Sequence, residues 1–156
     1  MFQFFSRRLR NERGFTLIEL LIVVAIIAIL AAILIPNFLR ARAQSQVAAS
    51  KGNLKNVATA LESYFVDFAA YPPAASGAPA GGFVGPYTKA LPKDPCTGAA
   101  FGAAGGYTYL PVGSPVTDYT VRTNWTNGGT GDPCFDANIP GGNIQYTPGG
   151  GLEITP

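Results

Sequence analysis

The hydrophobic pattern begins with one long apolar run near the N-terminus. It extends from Phe15 to Ile35, and Glu19 is its only ionisable residue. A helix of this length spans roughly 31 Å, which matches the hydrocarbon core of a bilayer. The run therefore predicts a membrane-spanning helix over residues 15–36, with a carboxylate placed where charge is costly and tends to be functional.

Beyond Pro36 the apolar residues recur at helical period. Pro36 removes one intrahelical hydrogen bond and is expected to kink the helix without ending it. The apolar stripe consists of residues spaced seven apart, with others between them: Val47, Leu54, Leu61 and Phe68, then Val57, Ala58, Tyr64 and Phe65. Such a stripe predicts an amphipathic second half of the helix over residues 37–71, packed on a sheet.

The remainder, residues 72–156, is rich in Gly and Pro and predicts a loop-rich globular head. Residues 72–86 show no periodicity and are predicted to form a loop. Four short segments have the composition of strands: 107–112, 118–125 (with Tyr119, Val121, Thr123 and Trp125 on one face), 143–147 and 152–155. The Gly and Pro residues between them favour an antiparallel meander of three or four strands. The predicted fold class is α+β, a long N-terminal helix whose second half packs on a small antiparallel sheet.

Composition argues against catalysis and against nucleic-acid binding. The chain has no His and none of the common catalytic or nucleotide-binding motifs, so we expect neither an enzyme nor a cofactor. The net charge is +2, but residues 1–14 contribute +3 of it, so residues 15–156 sum to −1. No basic face for nucleic acid is indicated. Three oxygen-bearing residues, Asp132, Asp136 and Asn138, are too few for calcium, and their segment reads as a turn-forming loop.

Three interpretations of the N-terminus are open on these grounds. A secretory signal would fit the small-x-small triplet Ala41-Arg42-Ala43, but the apolar run is too long and two arginines crowd the site. A plain membrane anchor explains the length of the run, and the arginines before it would remain cytoplasmic, which places residues 37–156 outside. A plain anchor leaves Glu19 and the Gly14-Phe15 junction unexplained.

The third interpretation rests on a motif. A basic leader ending in Gly14, followed by Phe15-Thr16-Leu17-Ile18-Glu19 and an unbroken apolar run, resembles the type IV pilin and pseudopilin family. The resemblance implies that a membrane peptidase removes the leader, residues 1–14, and N-methylates Phe15. It also implies that Glu19 meets the N-terminus of a neighbouring subunit and so sets the register of assembly.

The partners implied by this resemblance are other copies of the chain, membrane lipid and an assembly machinery. Contact between copies would run through residues 15–71, after processing by the prepilin peptidase and methyltransferase. The expected location is the bacterial inner membrane before assembly, as a single-pass protein, and an extracellular pilus afterwards.

The two cysteines, Cys96 and Cys134, do not have the spacing of a metal site. An even pair in a translocated chain predicts one disulfide, and the family often has one near its C-terminus. The leading function is a structural subunit of a type IV pilus. The alternative is a major-type pseudopilin of a type II secretion system, which the segment "LPKDPC" at 91–96 resembles.

Overall fold

The computed structural model of the chain describes residues 14–125, 134 and 143–155. It divides into two compact units, residues 1–39 and residues 40–156. One helix, α1 (Leu17–Phe68), belongs to both units. The predicted continuation of the helix past Pro36 is confirmed, because Pro36 lies inside α1.

In the second unit, one face of α1 is buried and forms half of the core. The predicted stripe is confirmed from Val47 to Tyr64, and Leu54 and Leu61 have no exposed surface. The prediction was wrong for Phe68, whose side chain is 59% exposed. Phe68 is the last residue of the helix, and Ala69 after it has a positive φ of 52°, so the chain turns away before the stripe can be covered.

The other half of the core is a four-stranded antiparallel sheet. Its strands are β3 (Tyr107–Val112), β4 (Asp118–Thr123), β5 (Asn143–Thr147) and β6 (Gly151–Thr155), in the spatial order β3-β4-β5-β6. Neighbours in sequence are neighbours in the sheet, so the predicted meander is confirmed. The prediction of a strand to residue 125 was two residues too long. On β4, Tyr119, Val121 and Thr123 are buried as predicted, while Trp125 lies beyond the strand and is half-buried.

Three buried tyrosines connect the sheet to the helix side of the core. The Tyr107 hydroxyl accepts a hydrogen bond from Asn53 Nδ2 at 3.1 Å. Tyr109 donates to the carbonyl of Pro72 at 2.7 Å, and Tyr119 donates to Glu62 at 3.3 Å. Each ring therefore fills the core while its polar end is satisfied, as buried hydroxyls require.

Residues 72–86 contain a small hairpin that the sequence analysis missed. Its strands are β1 (Ala74–Ala75) and β2 (Ala78–Pro79), and the two residues between them, Ser76 and Gly77, both have positive φ. Two such residues make a tight hairpin turn whose twist matches the flanking strands. The hairpin lies beside β3, where the backbone of Tyr109 donates to the carbonyl of Gly77 at 2.8 Å.

Candidate functional site

The N-terminus of α1 is closed by a reciprocal pair of side-chain bonds. Glu19 accepts from the backbone N–H of Thr16 at 2.9 Å and from its hydroxyl at 2.7 Å. The Thr16 hydroxyl in turn accepts from the backbone N–H of Glu19 at 3.3 Å. This is a capping box, in which Thr16 is the N-cap and Glu19 is the third helical residue.

The capping box gives Glu19 a role that the sequence analysis overlooked. The signal was present, because Thr-x-x-Glu before an apolar run is a known mark of a helix start. In a hydrocarbon environment the first N–H groups of a helix have no water to bond, so side chains must satisfy them. The same carboxylate remains a candidate for the assembly role that the family resemblance implies.

The predicted processing junction lies directly before this cap. Gly14 and Phe15 precede the helix in extended or irregular backbone, and the Phe15 side chain is 74% exposed. A side chain built at Gly14 would meet no atom of the described chain within 4 Å. The described chain itself therefore places no steric restriction on the residue at this position. Cleavage and N-methylation at this junction stay predictions.

The apolar run forms an uncovered surface in the described chain. From Leu17 to Leu39 every large hydrophobic side chain is at least 47% exposed. Part of α1 is long and apolar enough to cross a membrane, and none of that stretch is buried in the described chain. Apolar surface of this extent is unfavourable in water and needs lipid or other protein around it.

At Pro36 the helix loses one backbone donor but gains a neighbouring side-chain bond. Pro36 has no N–H for the carbonyl of Ala32. One residue later, Asn37 Nδ2 donates to the carbonyl of Ile33 at 3.1 Å. The Asn37 amide is thereby bonded within the helix, whereas the carbonyl without a donor from Pro36 is that of Ala32. The predicted kink at Pro36 stays a prediction.

The structure joins Cys96 to Cys134, the pair predicted from the sequence. Their Cα atoms are 5.5 Å apart, within the normal range for a disulfide, and both cysteines are about 95% buried. The bridge lies against α1, where Gln46 Nε2 donates to the carbonyl of Pro95 at 3.0 Å. The disulfide therefore connects two distant parts of the chain beside the helix.

Asp94 organises the backbone next to this disulfide, which the sequence analysis did not foresee. It is 1% exposed, and its Oδ1 accepts from the backbone N–H of Cys96 at 2.7 Å and of Thr97 at 3.2 Å. Its Oδ2 accepts from Trp125 Nε1 at 3.0 Å. Within "KDPC", an Asp two residues before a structured backbone N–H is the pattern of an Asx turn, so a sequence signal existed.

Within residues 14–125, 134 and 143–155, no three His, Cys, Asp or Glu side chains are grouped as metal ligands would be. The rejected calcium candidates Asp132, Asp136 and Asn138 lie outside the described residues. The described features of the site are therefore the capped N-terminus of the apolar helix and a tyrosine-rich head that contains the disulfide.

Comparison with known proteins assigns the chain to a family. The family model "Prokaryotic N-terminal methylation motif" matches residues 9–35, which include the Gly14-Phe15 junction and Glu19. The type II secretion system core protein G of Pseudomonas aeruginosa is 33% identical over 144 residues, covering 83% of this chain and 94% of that protein. The chain belongs to the family of type IV pilins and type II secretion pseudopilins.

The pilin matches are closer in sequence but shorter. The type IV major pilin protein PilA of Myxococcus xanthus is 58% identical over 60 residues, covering 38% of this chain and 27% of PilA. The type IV wide pilus major component PilA4 of Thermus thermophilus is 51% identical over 63 residues, 40% of this chain and 48% of PilA4. The chain thus aligns with less than half the length of these two pilins. No solved structure gives a significant match.

Proposed function

We propose that this chain is the structural subunit of a type IV pilus. In this proposal the chain enters the inner membrane as a prepilin, loses residues 1–14, is N-methylated at Phe15 and polymerises through residues 15–71. The observation that supports it is the capped helix whose apolar surface, from Leu17 to Leu39, is exposed in the single chain. Lipid can cover that surface before assembly, and neighbouring helices can cover it afterwards.

Pilins and pseudopilins are structural subunits, so the family gives no reason to expect catalysis. Their filaments require an assembly machinery, and the apolar helix is consistent with a membrane-anchored stage before the filament. The finer steps of this route, including the peptidase, the methylation and the export of the head, belong to the proposal.

A second candidate is a major-type pseudopilin of a type II secretion system. It is supported by the alignment with core protein G, which runs over nearly the full length of that protein. Both candidates use the same subunit architecture, and they differ in the location and role of the filament. A pilus extends from the cell surface, whereas a pseudopilus acts in protein secretion.

Electron microscopy of cells that produce the chain at native level separates the two candidates. Surface fibres that contain the chain, and that disappear on deletion of its gene, are expected for a pilin. Loss of protein secretion on deletion, without any loss of surface fibres, would instead support the pseudopilin.

Processing is tested by a change at the junction. Gly14→Val is expected to leave the leader attached, because the peptidase must read the backbone where the new side chain stands, whereas the described chain itself has room for one. Intact-mass measurement of the membrane form shows whether the leader is present. A matched change two residues away, Thr16→Val, should still be cut. A Gly14→Val chain processed as fast as the unmodified chain would contradict the assigned junction.

A further inference from the structure

Glu62 is a half-buried carboxylate held in a fixed position. The Tyr71 hydroxyl lies 3.1 Å from each of its two oxygens, and the Tyr119 hydroxyl lies 3.3 Å from Oε1. Two tyrosines thus orient Glu62 at the junction of the helix and the sheet. A carboxylate has about four lone-pair sites, so these bonds leave room for another donor.

A second carboxylate, Asp118, directly precedes Tyr119 in β4, and the carbonyl of Val116 just before it accepts from the backbone N–H of Tyr71 at 2.9 Å. Burial, the hydrogen bond and charge of Glu62, and then the charge of Asp118 raise the pKa of Tyr71 to about 12. Asp118 is exposed at the start of β4. In the described residues neither Glu62 nor Asp118 forms a salt bridge with Lys or Arg. This pair, the acidic corner, is therefore an accumulation of negative charge without a cation from its own described chain.

Within the described part of the chain, cations without a salt-bridge partner lie on the flank of the helix that contains Glu62. Arg40, Lys51 and Lys55 precede Glu62 by 22, 11 and 7 residues. Each interval is close to a whole number of helical turns, so all four side chains lie along one side of α1. Lys51 and Lys55 are four residues apart, a spacing at which like charges repel, and Lys55 is exposed. The flank is basic toward the membrane end and acidic toward the far end.

Charges arranged in this order fit a second copy of the same chain. Within one helix Lys55 and Glu62 are about 10 Å apart along the axis, which is beyond the usual range of helical side-chain pairs. A parallel copy displaced by the same distance brings its Lys55 level with Glu62 of the first copy. The contact pairs different residues on the two copies, and because each step adds an axial displacement, such a contact repeats in an open helical polymer and does not close into a dimer.

We propose that the acidic corner of one subunit, Glu62 with Asp118, binds the Lys55 ammonium of the neighbouring subunit. This contact would involve residues that follow the apolar segment in the chain, and its charge attraction would favour one axial offset between neighbouring subunits. The inference rests on the proposed function, since it requires a filament, and it names the head-level residues through which copies of this chain recognise one another.

Zero-length cross-linking of filaments tests the contact directly. Filaments assembled from a mixture of isotopically light and heavy subunits are treated with a carbodiimide, which joins an amine to a carboxylate only where the two touch. We expect cross-linked peptides joining Lys55 to Glu62 or Asp118 with one light and one heavy member. Lys55→Gln should remove them, while the matched change Lys89→Gln, at another exposed lysine, should leave them.

Charge exchange tests the same contact in cells. Lys55→Glu should lower the ratio of sheared filament to membrane-retained mature subunit roughly tenfold, because like charges then face each other. Adding Asp118→Lys to the same chain should restore much of the loss, and Lys89→Glu should change little.

The outcomes separate the inference from the proposed function. Filaments whose yield and cross-links do not depend on Lys55 would overturn the inference and leave the pilus proposal standing. Loss of the Lys55→Glu chain from the membrane, before assembly, would assign Lys55 to the lipid surface and also overturn it. An unmodified chain that forms no filament would overturn the proposed function, and the inference with it.

Discussion

Glu19 bonds to Thr16 within its own helix, and the family resemblance gives the same carboxylate a partner on a neighbouring chain. The two roles differ in energy. Loss of an N-cap costs about 1 kcal/mol of helix stability. Loss of one partner from a buried ion pair costs about 3–5 kcal/mol, because the other charge stays buried alone. Substitutions that remove one role at a time can therefore show which of them matters for assembly.

Glu19→Gln keeps the capping geometry and removes the charge, because Gln also serves in a capping box. If Glu19 pairs with the amine of a neighbouring Phe15, both Glu19→Gln and Glu19→Ala should insert and be cut but assemble poorly. The expected loss is a factor of about 100 or more in each addition step. The measurement is the ratio of sheared filament to retained mature subunit.

The control for this series is Thr16→Ala, which weakens the cap and keeps the charge. It should reduce assembly far less than Glu19→Gln if the ion pair dominates. A Glu19→Gln chain that assembles normally, beside a Thr16→Ala chain that does not, would show that Glu19 serves the helix start alone.

At the scale of elements, the end of α1 is fastened to the sheet through tyrosine hydroxyls. Tyr71 donates to Glu62 and packs edge-on against Tyr119, with ring centroids 4.6 Å apart. Backbone N–H of Tyr71 also donates to the carbonyl of Val116 at 2.9 Å, near the start of β4. Tyr71 therefore links the helix end, the acidic corner and the sheet.

This link predicts a dependence of stability on alkaline pH. The pKa of Tyr71 is raised from 10.0 to about 12 in the folded chain, so the folded state binds the phenolic proton more tightly than the unfolded state. The contribution of the protonated Tyr71 hydroxyl to folding stability is therefore complete below about pH 10 and is lost as the pH rises through about 12. Urea unfolding of the mature subunit in detergent should show a smaller decrease between about pH 8 and pH 11 for Tyr71→Phe than for the unmodified chain. Equal decreases in the two chains would contradict the assignment.

Helices and strands could be predicted where the local sequence pattern alone determines them. Strands β3 and β5 were located to the residue because aromatic and β-branched side chains alternate between Gly and Pro turns. The hairpin around Ser76 was missed because its four strand residues are Ala and Pro, which have little strand preference, and it depends on a tertiary bond from Tyr109 to Gly77. The predicted burial of Phe68 was wrong because the helical spacing of apolar residues continues past the point where the sheet covers the helix.

Within the candidate site, prediction from the sequence was limited by contacts between residues that are distant in the chain. The disulfide partners followed from the count of two cysteines, whereas the capping box at the helix start was overlooked although its Thr-x-x-Glu pattern was present. The fixing of Glu62 by Tyr71 and Tyr119 could not be read from the sequence, because Glu62 and Tyr119 are 57 residues apart and meet only when the sheet packs on the helix. Contacts of this type depend on tertiary structure.

For the whole molecule, the disulfide closes a loop that contains two of the four strands of the sheet. It joins residues separated by 38 positions, and the loop includes β3 and β4. The chain-entropy estimate for a loop of this length is roughly 4 kcal/mol. In a head with many glycines and a small core, that contribution is large compared with the total stability of a small domain.

Cys96→Ala is therefore expected to lower the unfolding free energy of the head by about 2–5 kcal/mol. Urea unfolding of the purified subunit, monitored by near-ultraviolet circular dichroism, measures the change. Treatment of the unmodified chain with a reductant should give a similar shift and so controls for the substituted side chain. Free thiols in protein taken from intact cells would contradict the assignment of the bridge.

The core and the apolar run belong to different units of the molecule, and this difference supports a last prediction. Every buried hydrophobic side chain of the described core lies at Ala43 or beyond, whereas the large side chains from Leu17 to Leu39 are exposed. We therefore expect residues 40–156 to fold alone, as a soluble monomer with the Cys96–Cys134 bridge and a cooperative unfolding transition. Size-exclusion chromatography with light scattering, together with circular dichroism, tests this, and Leu61→Asp in the same fragment should abolish the transition because it buries an unpaired charge. A fragment that aggregates or unfolds without cooperativity would show that the head needs the apolar helix for its stability.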